Sequence, residues 1–216
     1  MQGCTLYIWL LLVACVIQPG GAGKLLLMAD VHFDANYDPS RGPSCQCNEK
    51  FDDASESCKL LASYNTWGQY GCDSPSNLVA SAFAAAAATL PTPDVLMFAG
   101  DFMSHDASSE AETLAGVGEV ASALANAFPH EGTSGRPYAI VLGNSDLVKD
   151  YYFDFAASAE ANNDYLERVS RVWQRSGGAE PSLGHGLDAA ANATLRKGGY
   201  YASSPVPGKL TNLNFS

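Results

Sequence analysis

Side chains able to bind a metal or transfer a proton occur at three points of the chain, each directly after a short apolar run. Asp30 and His32 follow the first run, Asp101 and then His105 follow the second, and Asn144 follows the third. Carboxylate oxygen and imidazole nitrogen are ligands for divalent metals of borderline hardness. Each motif is weak alone, because Gly-Asp is a common turn and a lone Asp-x-His is often a helix cap beside a surface histidine. Their shared order and spacing indicate a metal site.

The apolar runs themselves predict three buried strands, at Lys24–Ala29, Asp94–Ala99 and Tyr138–Leu142. In open α/β sheets, ligands bind beyond the carboxyl ends of the strands, so the three motifs are expected to meet at one edge. Gly100 and Gly143 immediately precede Asp101 and Asn144 and permit tight turns there.

Helices are predicted between and after these strands. Pro75 suits a first helical turn with Asp73 or Ser74 as its cap, and Ser109 with Glu112 forms a capping box. Strands that alternate with helices indicate an α/β fold with a largely parallel or mixed sheet. The first two predicted helices are Asn77–Leu90 and Ser109 to about Phe128, and a third has Tyr165, Leu166, Val169, Val172 and Trp173 on one face and ends at Gly177-Gly178. A closing pair of strands is predicted at Tyr200–Ser203 and Lys209–Asn214.

The N-terminus has the pattern of a secretory signal. Leu6–Ile17 is an apolar run of 12 residues, which as a helix would span ~18 Å, short of the ~30 Å hydrocarbon core. Small residues follow, and Gly20 and Ala22 fit the −3 and −1 positions of a cleavage site. We therefore predict a signal peptide at residues 1–22 and a secreted or lumenal protein without a transmembrane segment. The alternative is a buried N-terminal helix or an uncleaved anchor.

The cysteines after the predicted signal indicate disulfides, because bridging loops is their common use in an oxidising compartment. A bridge between Cys45 and Cys47 would be strained, so each is expected to pair with Cys58 or Cys72. A zinc knot is the alternative. Two glycosylation sequons, at Asn192 and Asn214, acquire meaning if the chain is secreted.

The charge balance excludes some partners. The chain has 23 acidic and 12 basic residues and a formal net charge of −11. Non-specific nucleic-acid binding and adhesion to anionic membranes both depend on Lys and Arg, and both are disfavoured. A phosphate-bearing substrate would need a local cation, such as a metal.

The motifs resemble those of the calcineurin-like metallophosphoesterases, whose pattern is Asp-x-His, then Gly-Asp, then Gly-Asn-His-Asp or Glu. The chain is most similar to the acid sphingomyelinase-like phosphodiesterases within that superfamily. This resemblance implies a four-layer α/β/β/α sandwich, with residues 23–216 as the N-terminal part of the domain, incomplete at the C-terminus. The segments that carry it are Asp30–Pro39, Trp67–Pro75, Gly100–Asp106 and Gly198–Tyr201.

The same resemblance implies a two-metal site, usually zinc. Asp30 and His32 would bind one metal ion, Asp101 would bridge both, and Asn144 would bind the second. Two ions about 3.5–4 Å apart can activate a water and clamp the phosphoryl oxygens during in-line attack. His105 matches the family histidine near the leaving group, a candidate general acid. The implied substrates are phospholipid head-group esters or nucleotide phosphoesters and anhydrides.

Two departures from the family pattern bear on activity. Ser145 stands where the family has a histidine, and a hydroxyl does not titrate near neutral pH as imidazole does. The family's later histidine ligands do not appear, and His185 lies too early to supply one. His105 is then the remaining proton donor, unless it is a loop histidine held by Asp106. We expect an N-terminal portion of a secreted phosphodiesterase that alone hydrolyses little or nothing; the alternative is an inactive secreted protein that only binds.

Overall fold

The computed structural model describes residues 13–15, 24–42, 47–48, 65–129, 138–147, 159–175, 189–206 and 210–214. Within these ranges the chain forms six strands and four helices. In chain order they are β1 (Val13–Cys15), β2 (Leu25–Met28), α1 (Ser76–Thr89), β3 (Val95–Phe98), α2 (Glu110–Ala127), β4 (Tyr138–Ile140), α3 (Ala159–Arg175), α4 (Ala189–Gly198), β5 (Tyr201–Val206) and β6 (Leu210–Asn214).

The three predicted strands are confirmed as the centre of a four-stranded sheet in the order β1-β2-β3-β4. β2 pairs with β3, and β3 with β4, in parallel, so their carboxyl ends lie at the same edge. β1 pairs antiparallel with β2 and was not predicted, because it lies inside the apolar run interpreted as a signal. The signal itself and the domain boundary after residue 22 remain predictions.

Helix α1 crosses over between β2 and β3, as predicted, but its cap differs from the prediction. Its N-cap is Pro75 in an extended conformation, and no side chain caps the first turn. The prediction that Asp73 or Ser74 caps this helix was therefore wrong. The reason is tertiary: the Asp73 carboxylate is hydrogen bonded to His105 instead. Helix α1 ends before Pro91, as the sequence indicated.

Helix α2 begins at the predicted N-cap residue, Ser109. The Ser109 side chain accepts a hydrogen bond from the Glu112 N–H, and the helix ends at Ala127, two residues before Pro129. Its buried residues include Val117, Val120 and Leu124, spaced three and four apart on the core side. Helix α2 thus contributes an apolar stripe between its neighbours α1 and α3, both of which it contacts.

The hydrophobic core fills the space between the parallel strands and these helices. Phe98 of β3 packs against Phe83 of α1 and against Phe102, and Phe102 packs against Trp173 of α3. Each buried aromatic side chain of this kind contributes about 2–3 kcal/mol of hydrophobic stabilisation. The aromatic chain therefore joins the sheet, the helices and the loop after β3, which carries Asp101 and His105.

The predicted closing pair of strands is confirmed as the antiparallel hairpin β5–β6. Helix α4, directly before it, was not predicted. The Tyr201 hydroxyl of β5 accepts from the Ile140 N–H at 2.7 Å and donates to the Ile140 carbonyl at 2.8 Å. Burial raises the pKa of Tyr201 to about 12. This double hydrogen bond connects the hairpin to β4.

The described architecture is a mixed sheet with parallel central strands and helices in the crossovers, which confirms the α/β class. No helix among the described ranges is both long and apolar enough to cross a membrane. Asn192 lies in α4 and Asn214 in β6, and their glycosylation remains a prediction.

Candidate metal centre

The site lies where the parallel strands end. The segments that follow β2 and β3 stay hydrogen bonded to each other. The Asp30 N–H donates to the Gly100 carbonyl and the His32 N–H donates to the Asp101 carbonyl, both at 3.0 Å. This ladder carries Asp30 and His32 past the end of the sheet beside Asp101. The motifs predicted to share one edge of the sheet do so.

Asp30, His32 and Asp101 form a three-donor group. One ligand atom from each lies within 4.8 Å of the others. All three residues have left-handed backbone conformations, with φ of 56°, 43° and 57°. Such a conformation costs a non-glycine residue about 1–2 kcal/mol and is concentrated at functional sites. Two carboxylates and an imidazole held together at this cost fit a divalent cation, because a cation offsets the repulsion between the two carboxylates and accepts the imidazole lone pair.

The His32 ring is oriented by a main-chain carbonyl. Its Nδ1 lies 3.1 Å from the Met103 carbonyl oxygen. A carbonyl only accepts, so the proton resides on Nδ1 and the lone pair on Nε2. This arrangement, in which the second nitrogen donates to a backbone carbonyl, is typical of metal-binding histidines.

Gly100 and Gly143 allow the turn after β3 and the turn after β4 to contact each other. The sequence predicted only that each glycine permits a tight turn, whereas the structure also leaves no space for a side chain at either position. Gly100 has φ of 91°, and a Cβ placed on it would lie 2.3 Å from the Gly143 nitrogen. A Cβ on Gly143 would lie 2.2 Å from Asp101 Oδ1. Both positions exclude a side chain, so the backbone itself sets the position of the Asp101 carboxylate.

The loop after β4, which carries Asn144 and Ser145, contacts the Asp101 carboxylate. The Ser145 N–H donates to Asp101 Oδ1 at 3.1 Å, and the Asn144 amide donates to the Ser145 hydroxyl at 3.3 Å. Ser145, which occupies the place of the family histidine, has only 2% of its surface exposed. It therefore acts as a buried support for the Asp101 carboxylate, and its hydroxyl is held by its neighbour.

Asp146 is the residue at this edge that the sequence motifs did not assign. It is fully buried. Its carboxylate accepts from four backbone N–H groups at 2.7–3.2 Å: those of Asp101, Phe102, Met103 and Gly143. Burial raises the pKa of Asp146 to about 7, although hydrogen bonds from the backbone oppose that shift. The carboxylate joins the two loops that carry Asp101 and Asn144.

The sequence contained a signal for the importance of Asp146. It ends the motif Gly143-Asn144-Ser145-Asp146, and the pattern of the metallophosphoesterases that this chain resembles also ends in an acidic residue. The main chain of Asp146 also receives a hydrogen bond from the buried Tyr165 hydroxyl of α3. Burial raises the pKa of Tyr165 above its usual range. Through this contact, α3 supports the loop after β4.

A second cluster contains His105, which the sequence singled out as a proton donor. Its ring stacks on that of His32, with centroids 4.3 Å apart and planes inclined by 13°. Its Nδ1 lies 2.9 Å from Asp73 Oδ1. His32, Asp73 and His105 also have ligand atoms within 4.8 Å of one another.

The ring geometry distinguishes between these two donor groups. The lone pairs of an imidazole lie in its ring plane, so the lone pairs of two nearly parallel stacked rings do not converge on one ion. His32 and His105 therefore cannot both bind the same metal without one ring turning. Asp30, His32 and Asp101 are therefore the candidate metal-binding group, with His105 beside it.

The Cys47–Cys72 disulfide and the buried Asp34 carboxylate hold the loops next to this edge of the sheet. Cys47 is bonded to Cys72, in agreement with the predicted pairing of Cys47 with Cys58 or Cys72. Asn48, next in the chain, donates to both oxygens of Asp34, at 3.2 and 3.0 Å. Burial raises the pKa of Asp34 to about 6. Cys45 and Cys58, like His185, lie outside the described residues.

The fold and the donor group together define an α/β protein with a candidate metal centre at the carboxyl edge of its sheet. No family model matches the chain. Among curated proteins, it is 28% identical to acid sphingomyelinase-like phosphodiesterase 3b of Mus musculus over 208 residues, 94% of this chain and 40% of that protein. It is 29% identical to the protein of that name from Homo sapiens, over 95% of this chain and 41% of that protein.

Sphingomyelin phosphodiesterase of Homo sapiens is 27% identical over 202 residues, 89% of this chain and 29% of that protein. The resemblance predicted from the sequence motifs is thereby confirmed: the curated homologues of this chain are acid sphingomyelinase-like and sphingomyelin phosphodiesterases. The chain spans about two fifths of the length of the first two relatives.

Proposed function

We propose that this chain carries the metal-binding edge of a phosphodiesterase that hydrolyses phosphoester bonds, either of a phospholipid head group or of a nucleotide. The observation that carries the proposal is the group of Asp30, His32 and Asp101, whose ligand atoms lie within 4.8 Å of one another at the end of parallel strands. The relatives, which are phosphodiesterases by name, support the reaction class.

We propose that the fold is part of a four-layer metallophosphoesterase sandwich. The four-stranded sheet and the helices packed on it would be two of these layers. The support comes from the parallel pairing of β2, β3 and β4 and from the single core that these strands share with α1, α2 and α3.

In this proposal Asp30 and His32 would hold one divalent metal ion, Asn144 would hold a second, and Asp101 would be a ligand of both. The ions, with zinc as the expected element, would supply Lewis acidity toward the phosphoryl oxygens and a water of lowered pKa. The chain's own residues fix the geometry: Gly143 leaves space for the Asp101 carboxylate, and the Ser145 N–H holds one of its oxygens. His105 donates a proton to the leaving oxygen.

Charge supports the need for a cation at this edge. The chain carries a net charge of −11, and Asp34, Asp73 and Asp106 lie close enough for their carboxylates to interact electrostatically. A phosphodiester anion would be repelled from such a surface unless bound metal ions reversed the local charge. Metal binding and substrate binding are therefore expected to depend on each other.

The proposed location is outside the cytosol, in a secreted or lysosome-like compartment. The Cys47–Cys72 disulfide supports it, because such bonds persist in oxidising environments. The signal peptide at 1–22 and glycosylation at Asn192 and Asn214 belong to the same proposal.

A second candidate function is binding without turnover. It is favoured by Ser145, whose buried hydroxyl cannot replace the titrating family histidine. Both functions require a phosphate site that depends on metal, and only the first requires hydrolysis.

The test is calorimetric titration of inorganic phosphate into the zinc-treated chain, followed by assay of a chromogenic phosphodiester. We expect phosphate binding that requires zinc, is lost in Asp101→Ala and is retained in Asp94→Asn, a charge-matched control at the residue directly before β3. Zinc-loaded chain without affinity for phosphate would contradict both functions. Hydrolysis at background would favour binding alone for this chain, as expected from Ser145; a zinc-dependent rate that disappears in Asp101→Ala would establish the enzyme.

A further inference from the structure

Asp73 uses both of its carboxylate oxygens on a single residue, His105. Oδ2 accepts a hydrogen bond from the His105 backbone N–H at 2.8 Å, and Oδ1 lies 2.9 Å from the ring Nδ1. One contact fixes the main chain and the other fixes the side chain. The ring orientation is therefore set at two points by one carboxylate that lies 32 residues earlier in the sequence.

The fold places Asp73 there through three adjacent segments. Phe33 forms a parallel bridge with Ser74 on one side and with Met103 on the other. The Ser74 N–H donates to the His32 carbonyl at 2.7 Å. Asp73 lies between Ser74, which is part of this arrangement, and Cys72. The disulfide to Cys47 holds Cys72. The carboxylate is thus attached to the same framework as the metal-binding residues.

This contact differs from an ordinary surface ion pair. The His105 side chain is 51% exposed, whereas that of Asp73 is 14% exposed. An exposed pair contributes at most about 1 kcal/mol to stability, so stability alone is a weak reason for a two-point contact. A carboxylate held against Nδ1 has a chemical consequence, because it selects the tautomer and orientation of the ring.

We propose that Asp73 is a positioning residue for the reaction: it keeps a proton on Nδ1 of His105 and leaves Nε2 as the nitrogen that exchanges a proton with the substrate. The inference rests on the proposed function and deepens it. The step starts from the ring protonated on both nitrogens. As a water oxygen forms its bond to phosphorus and releases a proton to solvent, the ester P–O bond breaks and the leaving oxygen takes the Nε2 proton. The ring that remains is neutral, and its Nδ1–H still donates to the Asp73 carboxylate.

The isosteric change Asp73→Asn separates this role from packing. An Asn side chain offers one acceptor oxygen and one donor amide, so it cannot accept from both the His105 N–H and Nδ1–H. At least one of the two contacts is lost while the volume is kept. Asp94→Asn removes the same charge at a distance from His105 and serves as the control.

The experiment is long-range proton–nitrogen correlation NMR of the full chain labelled with ¹⁵N-histidine, at about pH 8.5, roughly two units above the ordinary histidine pKa. His105→Gln identifies the signal. We expect the Nδ1-protonated tautomer at His105 in the wild type and in Asp94→Asn, and its loss as the dominant form in Asp73→Asn and Asp73→Ala. A wild-type ring protonated on Nε2, or a tautomer unchanged in Asp73→Ala, would overturn the proposal.

This readout requires neither substrate nor turnover, so it stands apart from the proposed function. A chain without phosphodiesterase activity but with the Asp73-dependent tautomer would contradict the function and leave the positioning role intact. If the chain turns over a chromogenic phosphodiester, Asp73→Asn is expected to lower kcat by about 10²-fold or more with little change in KM. An unchanged kcat would contradict the positioning role.

Discussion

Gly143→Ala tests how closely the backbone of the loop after β4 controls the Asp101 carboxylate, the proposed metal ligand in the loop after β3. The added methyl group would lie 2.2 Å from Asp101 Oδ1 and 2.5 Å from its Cγ. It would also lie 2.5 Å from the Asp101 nitrogen, so turning the side chain alone does not relieve the overlap. Either the carboxylate or one of the two loops has to move.

These distances set the size of the expected shift of the Asp101 carboxylate and of the loss in zinc affinity. An ordinary contact between such atoms is at least about 3.4 Å, so the carboxylate must shift by roughly 1 Å. The hydrogen bond from the Ser145 N–H, now 3.1 Å long, would be disrupted by that shift. Metal sites tolerate deviations of only about 0.2 Å, so we expect a loss in zinc affinity of about 10–100-fold. Overpacking is expected to cost about 1–3 kcal/mol of stability.

The assay combines zinc titration with urea unfolding followed by tryptophan fluorescence, for which the buried Trp173 is a reporter. Gly118→Ala, within helix α2, is the matched control. A Cβ at Gly118 would lie 3.5 Å from the Val172 side chain of α3, which is an ordinary contact distance. That change should stabilise the chain by about 0.5–1 kcal/mol and leave zinc affinity unchanged. Wild-type zinc affinity in Gly143→Ala, with the protein folded, would refute the inference that this glycine sets the carboxylate.

Three further changes test the supports of the site. Asp146→Ala leaves four backbone N–H groups without their acceptor and is expected to lower the unfolding free energy by about 3 kcal/mol or more; a loss below about 1 kcal/mol would contradict its role in joining the loops. Tyr201→Phe removes both hydrogen bonds to Ile140 and should cost about 1–2 kcal/mol by urea unfolding, whereas an unchanged midpoint would mean that the hairpin does not depend on them. Replacing Cys47 and Cys72 together by Ser opens a bridge that spans 25 residues and should cost about 3.5 kcal/mol, and a variant as stable as the wild type would argue against this bond.

The strands and helices nearest the site were predictable because their signals are local. Leu25–Met28 and Val95–Phe98 are unbroken apolar segments, and proline residues end both α1 and α2. The Ser109 side chain caps the Glu112 N–H within one turn, so the local sequence contains both partners of that interaction. The order of strand and polar motif then predicts the shared edge without knowledge of any contact.

The supports of the site were not predictable in the same way, because their partners are distant in sequence. Asp73 looked like a helix cap, and only the fold brings it to His105, 32 residues away. Asp146 accepts from the Asp101 N–H across 45 residues. The local sequence around Asp73 fits a helix cap, and the contact with His105 appears only in the tertiary structure.

The secondary structure that sequence reasoning overlooked also has physical reasons. Helix α4 (Ala189–Gly198) is short and has mixed polarity, so its pattern does not stand out from a loop. Strand β1 (Val13–Cys15) is part of an apolar run that fits a signal sequence equally well. Strand β1 pairs with β2 and helix α4 contacts β5, and these tertiary contacts cannot be read from the residues of β1 and α4 alone.

The central claim is that Asp30, His32 and Asp101 bind a divalent metal ion, and equilibrium titration of the metal-free chain with zinc tests it most directly. We predict saturable binding of at least one equivalent, at least tenfold weaker in Asp101→Asn and unchanged in the charge-matched Asp94→Asn. Asp101→Asn keeps the side-chain volume, so a loss of affinity in a folded variant reports on the ligand itself. Equal zinc affinity in the wild type and Asp101→Asn, or no saturable binding by the folded wild type, would contradict the metal centre.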